Sequence, residues 1–159
     1  MKFGCLLAVK DIHASRAFYE TLFGLIIEDD FGRNITFDCG LSLQQDFDWL
    51  TGIPKSEMKQ QENNCELFFE REDFDGFVSR LHQRNDVKLL HDVREYPWGQ
   101  RVIRFYDLDD HLIEVGECMG SVVLKWQDAG MTLAEIAKRM DVTVQDVHRM
   151  LGSKTVSDA

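Results

Sequence analysis

The fold is indicated most clearly by residues 97–117, which read PWGQRVIRFYDLDDHLIEVGE. Two apolar-rich runs flank an acidic turn, Asp107 to Asp110, and this pattern is typical of a β-hairpin. Neighbouring side chains on a strand point to opposite faces of the sheet. Ile113 and Val115 are therefore predicted to enter the core, whereas Glu114 is predicted to face the other side.

The bulk composition favours a small acidic domain. The chain has 159 residues, of which 44% are hydrophobic, and its formal net charge is −10. That length suits one main domain, and the acidic charge argues against a nucleic-acid or anionic-membrane partner. The apolar run from Cys5 to Val9 is too short for a signal peptide or a membrane span. The four cysteines are widely separated, which favours reduced thiols and a cytoplasmic protein.

The N-terminal part of the chain, from Phe3 to Gln45, predicts the element order βαβββ. A strand over Cys5 to Val9 precedes a helix that is capped by Asp11 and ends at Gly24. Three short strands follow, at Ile26-Ile27, at Ile35 to Cys39 and at Leu41 to Gln45.

The same order begins again at Cys65. Cys65 to Glu70 predicts a strand, Asp73 caps a helix, and Val87 to Leu90 with the two hairpin strands completes a second βαβββ unit. We therefore predict modules at about 3–46 and 64–118 within one domain, residues 1–118. Between them the polar connecting segment, Asp46 to Asn64, is interpreted as a plain linker with a short helix at Trp49 and Leu50, in preference to a wall over a pocket.

Residues 119–159 predict a separate helical extension. Ser121 to Asp128 is one helix, Thr132 to Glu135 forms a capping box that opens a second, and Thr143 begins a third. The last two resemble a helix-turn-helix. The extension holds five basic and five acidic residues: Lys125, Lys138, Arg139, Arg149 and Lys154, and Asp128, Glu135, Asp141, Asp146 and Asp158. With no net positive charge, we expect the helices to pack on the body or on a partner copy instead of reading DNA.

The repeated unit, the helix residues Phe18-Tyr19 with Gly24-Leu25, and the closing hairpin together resemble the glyoxalase/bleomycin-resistance/dioxygenase group, the vicinal oxygen chelate superfamily. The resemblance covers about residues 3 to 118. It implies an α+β fold in which the two modules form a curved, cup-like mixed sheet, with helices outside and a ligand pocket inside. One departure is the turn, where Leu108 and Asp110 replace the usual Pro and Gly, at a modest cost in stability.

Many members of that superfamily bind a divalent metal through four side chains. The matching positions here are Gly4, Gln44, Glu66 and Glu114, and Gly4 has no side chain to offer. Two carboxylates and one amide would suit a hard, oxygen-preferring ion. The resemblance thus makes Gln44, Glu66 and Glu114 candidate ligands of an incomplete metal site.

Several side chains are candidates for catalysis or ligand binding. Glu66 and Glu114 could act as a general base, or each could pair with Arg101 or Arg104. Trp98, Phe68 and Tyr106 could form an aromatic wall, and His91 or His111 could stand in for the missing metal ligand. The candidate ligand-binding residues are Gln44, Phe68, Trp98, Gln100, Arg104 and His111.

These patterns support three functional hypotheses. The first is a cytoplasmic, homodimeric protein that binds a small organic ligand in the cup without the full metal site. The second is an enzyme, a metal-dependent glyoxalase-like lyase or isomerase or a dioxygenase-type enzyme. The third is a ligand-sensing regulator that acts through the C-terminal helices. The sequence does not identify the ligand, because specificity depends on the shape of the pocket.

Overall fold

The structure is a computed structural model that describes residues 4–152. Phe3, Lys154 and Asp158, which entered the predictions above, lie outside the described residues. The first βαβββ module is confirmed. Its elements are β1 (Cys5–Val9), α1 (Ile12–Phe23), β2 (Ile27–Asp30), β3 (Asn34–Phe37) and β4 (Leu41–Gln45).

The connecting segment holds a short helix, α2 (Phe47–Thr51), and one 3-10 turn, Lys55–Glu57. The second module and the helical extension then follow in the predicted order. Their elements are β5 (Leu67–Arg71), α3 (Phe74–His82), β6 (Lys88–Glu95), β7 (Arg101–Tyr106), β8 (Leu112–Glu117), α4 (Met119–Asp128), α5 (Leu133–Met140) and α6 (Val144–Gly152).

The two modules build two four-stranded sheets with matching strand orders, β1-β4-β3-β2 and β5-β8-β7-β6. In the first sheet β1 runs parallel to β4, with Cys5 opposite Leu41, and the other neighbours are antiparallel. Among the described residues there are also six α-helices, so the predicted α+β class is confirmed. None of the helices between residues 4 and 152 is long and apolar enough to cross a membrane.

The chain separates into two compact units. The first contains the residues up to Leu67 together with Arg80–Lys88 and Phe105–Ile113. The second contains Phe68–Ser79, Leu89–Arg104 and the described chain from Glu114 to Gly152. Each unit therefore takes a share of the strands of the second module.

The core of the first unit is built around α1. Asp11 accepts hydrogen bonds from the backbone N–H groups of His13 and Ala14, and the helix ends at Gly24, whose φ is 70°. Both predicted caps are thus confirmed. The aromatic face of α1 is buried, and Phe23 stacks on Phe105 with a centroid separation of 6.4 Å.

The second unit includes the C-terminal helices, which share a small core of their own. Its buried members are Val122, Val123, Ile136, Ala137, Met140 and Val147. The predicted capping box of α5 is confirmed, because Thr132 and Glu135 exchange side-chain to backbone hydrogen bonds. On α4, Lys125 Nζ lies 3.2 Å from the Glu95 carboxylate at the end of β6. The helices therefore contact the second sheet.

Four strand side chains that the sequence predicts to face the core are buried. Leu41, Leu43, Ile113 and Val115 are all buried, as predicted. The start of β5 is a correction, because the strand begins at Leu67 and not at Cys65. Glu66 is thus an exposed residue ahead of the strand and is not a member of its outward face.

Candidate functional site

The first unit contains a cavity of about 630 Å³. Residues from three parts of the chain line it: most of β1 with the following Lys10, residues 46–48, 55 and 58–67 of the chain before and into β5, and the hairpin residues Asp109 to Leu112. Leu7 and Val9 on β1 and Leu112 at the start of β8 give it apolar walls, and polar residues surround them. A cavity of this size is in the range that proteins use for small organic ligands.

The connecting segment forms part of the cavity wall, so its interpretation as a plain linker is wrong. Two hydrogen bonds attach it to the hairpin. Gln61 Nε2 donates to Asp110 at 2.7 Å, and the Tyr106 hydroxyl donates to Asn63 Oδ1 at 2.8 Å. The connecting segment is long and polar, and its hydrophobic residues do not recur at the spacing of a helix or a strand. The sequence therefore did not indicate these contacts.

Asp107 organises the polar end of the cavity from a buried position. Its carboxylate accepts hydrogen bonds from the Tyr19 hydroxyl at 2.7 Å and from the backbone N–H groups of Asp109 and His111 at 2.9 and 2.8 Å. The same carboxylate lies 2.9 Å from Nδ1 of His111. Three donors therefore fix one carboxylate, which in turn fixes the imidazole ring.

The pKa shifts of Asp107 and His111 favour a negatively charged carboxylate beside a positively charged imidazolium. Burial alone would lower the pKa of His111, but the hydrogen bond and charge of Asp107, with Asp109 and Asp110 nearby, raise it above its usual value. Burial would raise the pKa of Asp107, but its bonds to His111 and Tyr19 hold it below the usual value. Burial and the neighbouring Asp107 raise the pKa of Tyr19 well above its ordinary value, so its hydroxyl stays protonated.

Further polar groups line the same cavity. Asp109 is buried, accepting a hydrogen bond from the backbone N–H of Lys10 at 3.1 Å and one from the Ser15 hydroxyl at 3.2 Å. Cys5 and Cys65 also line the cavity. Burial, and then the charge of Cys65, raise the pKa of the Cys5 thiol.

Three of the predicted site residues belong to the first unit. His111 and Glu66 line the cavity. Gln44 is buried, its amide oxygen accepting from Asn34 at 3.1 Å and its amide nitrogen donating to the backbone oxygen of Gln45 at 2.6 Å. Sequence reasoning missed Asp107 as the partner of His111, although the spacing Asp-x-x-x-His across a tight turn was the available signal.

The other predicted residues lie on the second sheet, within the second unit. Arg104 forms an ion pair with the buried Glu114, which confirms the pairing considered from the sequence. Arg104 Nη1 also donates to the Tyr96 hydroxyl at 2.8 Å and lies 3.4 Å from Nε2 of His91. Glu114 and Arg104 are thus part of a charged cluster on this sheet.

The aromatic residues of the second sheet form a different arrangement from the predicted wall. Trp98 stacks on Tyr96 with a centroid separation of 4.6 Å, and its Nε1 donates to Gln100 Oε1 at 3.2 Å. Phe68 is 53% exposed. Tyr106 is buried and bonded to Asn63 in the first unit, so it does not present the exposed ring that a ligand-stacking wall requires.

The residues at the superfamily's metal positions do not fit a metal ion. Gly4 has no donor, and the amide of Gln44 is used within its own sheet. The Glu114 carboxylate is paired with Arg104. Within residues 4–152, no group of three or more His, Cys, Asp or Glu side chains is arranged to hold a metal.

Comparison with known proteins identifies the family. The sequence model of one protein family, the glyoxalase-like domain, matches residues 3–120, about three quarters of the chain. The chain belongs to the glyoxalase-like family. This confirms the resemblance to the glyoxalase/bleomycin-resistance/dioxygenase superfamily that the two modules predicted.

Solved structures agree with this assignment of the glyoxalase-like chain. A protein of unknown function from Agrobacterium tumefaciens str. C58 is 35% identical over 74% of this chain and 94% of its own, with a TM-score of 0.63. Lactoylglutathione lyase from Agrobacterium tumefaciens (22% identity, TM-score 0.55) and the fosfomycin resistance protein FosX from Listeria monocytogenes (21%, 0.55) each match 74% of this chain and 92% of their own. At those lower identities the likeness shows the fold alone. No curated protein matches the chain.

Proposed function

We propose that this glyoxalase-like protein binds a small organic ligand in the cavity of its first unit. The observation that carries the proposal is the 630 Å³ cavity, in which Leu7, Val9 and Leu112 provide apolar contact and His111 provides a fixed polar group. Apolar walls with a few oriented polar groups are typical of sites for small organic molecules. We therefore propose the cavity beside the hairpin turn as the binding site, where the sequence led us to expect the sheet cup.

The charge of the lining narrows the class of ligand. Six carboxylates and three lysines line the cavity: Asp46, Asp48, Glu62, Glu66, Asp109 and Asp110, and Lys10, Lys55 and Lys59. An excess of carboxylates repels a ligand that carries a permanent negative charge. We therefore propose a ligand that is neutral when free in solution.

A neutral dye and one pair of variants test the binding proposal. Nile red fluoresces strongly only in apolar surroundings, so its titration reports entry into the cavity. Ala8→Phe places a large ring at a residue that lines the cavity, and Ala14→Phe places the same ring on the exposed side of α1. We expect binding to weaken about tenfold or more in Ala8→Phe and to stay unchanged in Ala14→Phe. Equal affinity in the two variants, with unchanged circular dichroism, would sink the proposal.

We also propose that the protein is a homodimer. The strand β6 ends the second sheet, and its side chains Leu89, Leu90 and Val93 are 36%, 48% and 37% exposed. An exposed apolar edge strand is a common site of association. Sedimentation velocity should show a dimer that Leu90→Lys dissociates and Leu50→Lys, on the connecting segment, does not.

We further propose a reducing, cytoplasmic location, which the four free cysteines and the acidic charge support.

For the helical extension, residues 119–159, we propose a packing role in preference to DNA binding. Two of its cations are engaged locally: Arg139 lies over the Trp126 ring at 4.0 Å, and Arg149 pairs with Asp146 at 3.0 Å. A DNA-binding surface needs cations that are available to phosphates. Retention of the protein on DNA at low ionic strength, lost on adding salt, would contradict this assignment.

A further inference from the structure

His111 combines three properties that a merely structural histidine does not need together. Its Nδ1 is held by the two carboxylate oxygens of Asp107, at 2.9 and 3.1 Å. Its side chain is 27% exposed, and it lines the cavity. Within the part of the chain that the structure describes, Nε2 has no hydrogen-bond partner. The ring is thus anchored on one side and available to a ligand on the other.

Asp107 is fixed more firmly than an ordinary ion-pair partner. The Tyr19 hydroxyl and the backbone N–H groups of Asp109 and His111 all donate to its carboxylate, which is 2% exposed. A carboxylate that accepts the proton of Nδ1 sets the tautomer of the imidazole, so that Nε2 is the basic nitrogen of the neutral ring. The same arrangement stabilises the imidazolium when Nε2 gains a proton.

We propose that His111 exchanges a proton with a ligand held in this cavity, that Asp107 is its positioning residue, and that the ligand carries an acidic hydroxyl, as an enol or a phenol does. The inference rests on the binding function proposed above. In the transfer, the ligand's O–H bond breaks and the proton forms the Nε2–H bond. The oxygen keeps the electron pair, and the imidazolium remains beside Asp107. The reverse transfer restores both neutral groups.

The charges around the ring explain why a hydroxyl suits this site. The titratable groups that face His111 or share its cavity lie on four parts of the chain: Asp107, Asp109 and Asp110 in the hairpin, Tyr19 on α1, Lys10 and Cys5 on or beside β1, and Asp46, Asp48, Lys55, Lys59, Glu62, Cys65 and Glu66 between β4 and β5. This acidic set opposes a ligand that arrives as an anion. A neutral hydroxyl avoids that repulsion and acquires negative charge only next to the imidazolium.

The probe for this inference is p-nitrophenol, whose hydroxyl titrates near the pKa of imidazole and whose anion absorbs visible light. Its affinity is measured between pH 5 and pH 9 for the full chain, for His111→Gln and for His91→Gln, a histidine on the second sheet. Because the complex contains one shared proton, the affinity of the unmodified protein should pass through a maximum near neutral pH. In His111→Gln only the neutral phenol binds, so the affinity should be constant at low pH, fall as the phenol ionises, and be about tenfold weaker at pH 8 than at pH 5. His91→Gln should match the unmodified protein.

Asp107→Asn tests the positioning role, and Tyr19→Phe is a milder change at the same carboxylate. The maximum should move to lower pH in Asp107→Asn, because the imidazolium loses its charged partner, and should not move to lower pH in Tyr19→Phe, which keeps the carboxylate. If p-nitrophenol binds the unmodified protein and His111→Gln with the same pH profile, the inference about His111 is wrong and the binding function stands. If neither p-nitrophenol nor Nile red binds, both proposals are overturned.

Discussion

The indole of Trp126 occupies the space that a side chain at residue 99 would need. A Cβ on Gly99 would lie 2.6 Å from Trp126 Nε1, and the φ of Gly99 is 88°. Real Cβ atoms essentially never approach another atom so closely. The helix α4 can therefore pack on the turn before β7 only because residue 99 is a glycine.

We expect Gly99→Ala to lower the free energy of unfolding by about 2 to 4 kcal/mol, from backbone strain and a displaced indole. The measurement is urea denaturation followed by circular dichroism. Gly32→Ala is the matched control, since its φ is 79° and a Cβ there meets nothing within 4 Å. It should show only the backbone cost of about 1 to 2 kcal/mol. Equal losses in the two variants would show that Trp126 does not depend on Gly99.

The pair of Asp107 and His111 should give stability a characteristic pH dependence. Folding raises the pKa of His111 above 6.5, so its contribution is complete below that pH and is lost as pH rises through the folded pKa. Folding lowers the pKa of Asp107 below 3.8, so its contribution is present above that pH and is lost as pH falls. The pair therefore stabilises the fold most between about pH 4 and pH 6.5.

Asp107→Asn should remove this dependence. Unfolding at a series of pH values, with the pKa of His111 followed by NMR, checks both parts of the prediction. In the variant the pKa of His111 should fall towards 6.5 or below, since burial is then opposed only by the charges of Asp109 and Asp110. An unchanged difference in stability between pH 5 and pH 8 in the variant would assign the dependence to other groups.

The ion pair of Arg104 and Glu114 should be costly to break from one side. Glu114 is 7% exposed, so Arg104→Ala leaves a buried carboxylate without its cation and should cost about 3 kcal/mol. Replacing both, in Arg104→Met with Glu114→Leu, should recover most of that loss. Arg33→Ala is the control at an exposed pair and should cost less than about 1 kcal/mol. A double variant as unstable as the single one would contradict this account.

Divalent ions should leave the stability of the protein unchanged. The four positions that correspond to the superfamily's ligands offer no set of free donors, because Gln44 and Glu114 are engaged elsewhere and Gly4 has no side chain. We expect the unfolding midpoint to be the same with Mg²⁺, Mn²⁺ or Zn²⁺ as with a chelator. A metal-dependent rise that disappears in Glu114→Gln would restore the metal hypothesis.

The fold followed from local signals that act over a few residues. Asp11, Gly24 and Thr132 cap helices through hydrogen bonds to their immediate neighbours, and Ile113 and Val115 alternate with Glu114 on one strand. Such signals survive in the sequence because each depends on short-range geometry. They were sufficient to predict both βαβββ modules.

The candidate site was less accessible to sequence reasoning because it depends on contacts between distant residues. Tyr19 meets Asp107 across 88 positions, and Ser15 meets Asp109 across 94. Neither contact has a local pattern. Glu66 was placed on a strand because the apolar run appears continuous, yet β5 begins only at Leu67.

The wall of the cavity is held differently from the sheets. Gln61 donates a hydrogen bond to the hairpin, and Asn63 accepts one from it. Both residues have a φ of 54°, a left-handed conformation that costs a non-glycine residue free energy. Two hydrogen bonds, one to the Asp110 carboxylate and one from the Tyr106 hydroxyl, therefore hold a strained stretch that belongs to neither sheet. Substitutions there can reshape the cavity at little cost to the fold, so proteins with this architecture can diverge in ligand preference by changing a few residues of one loop while both modules stay intact.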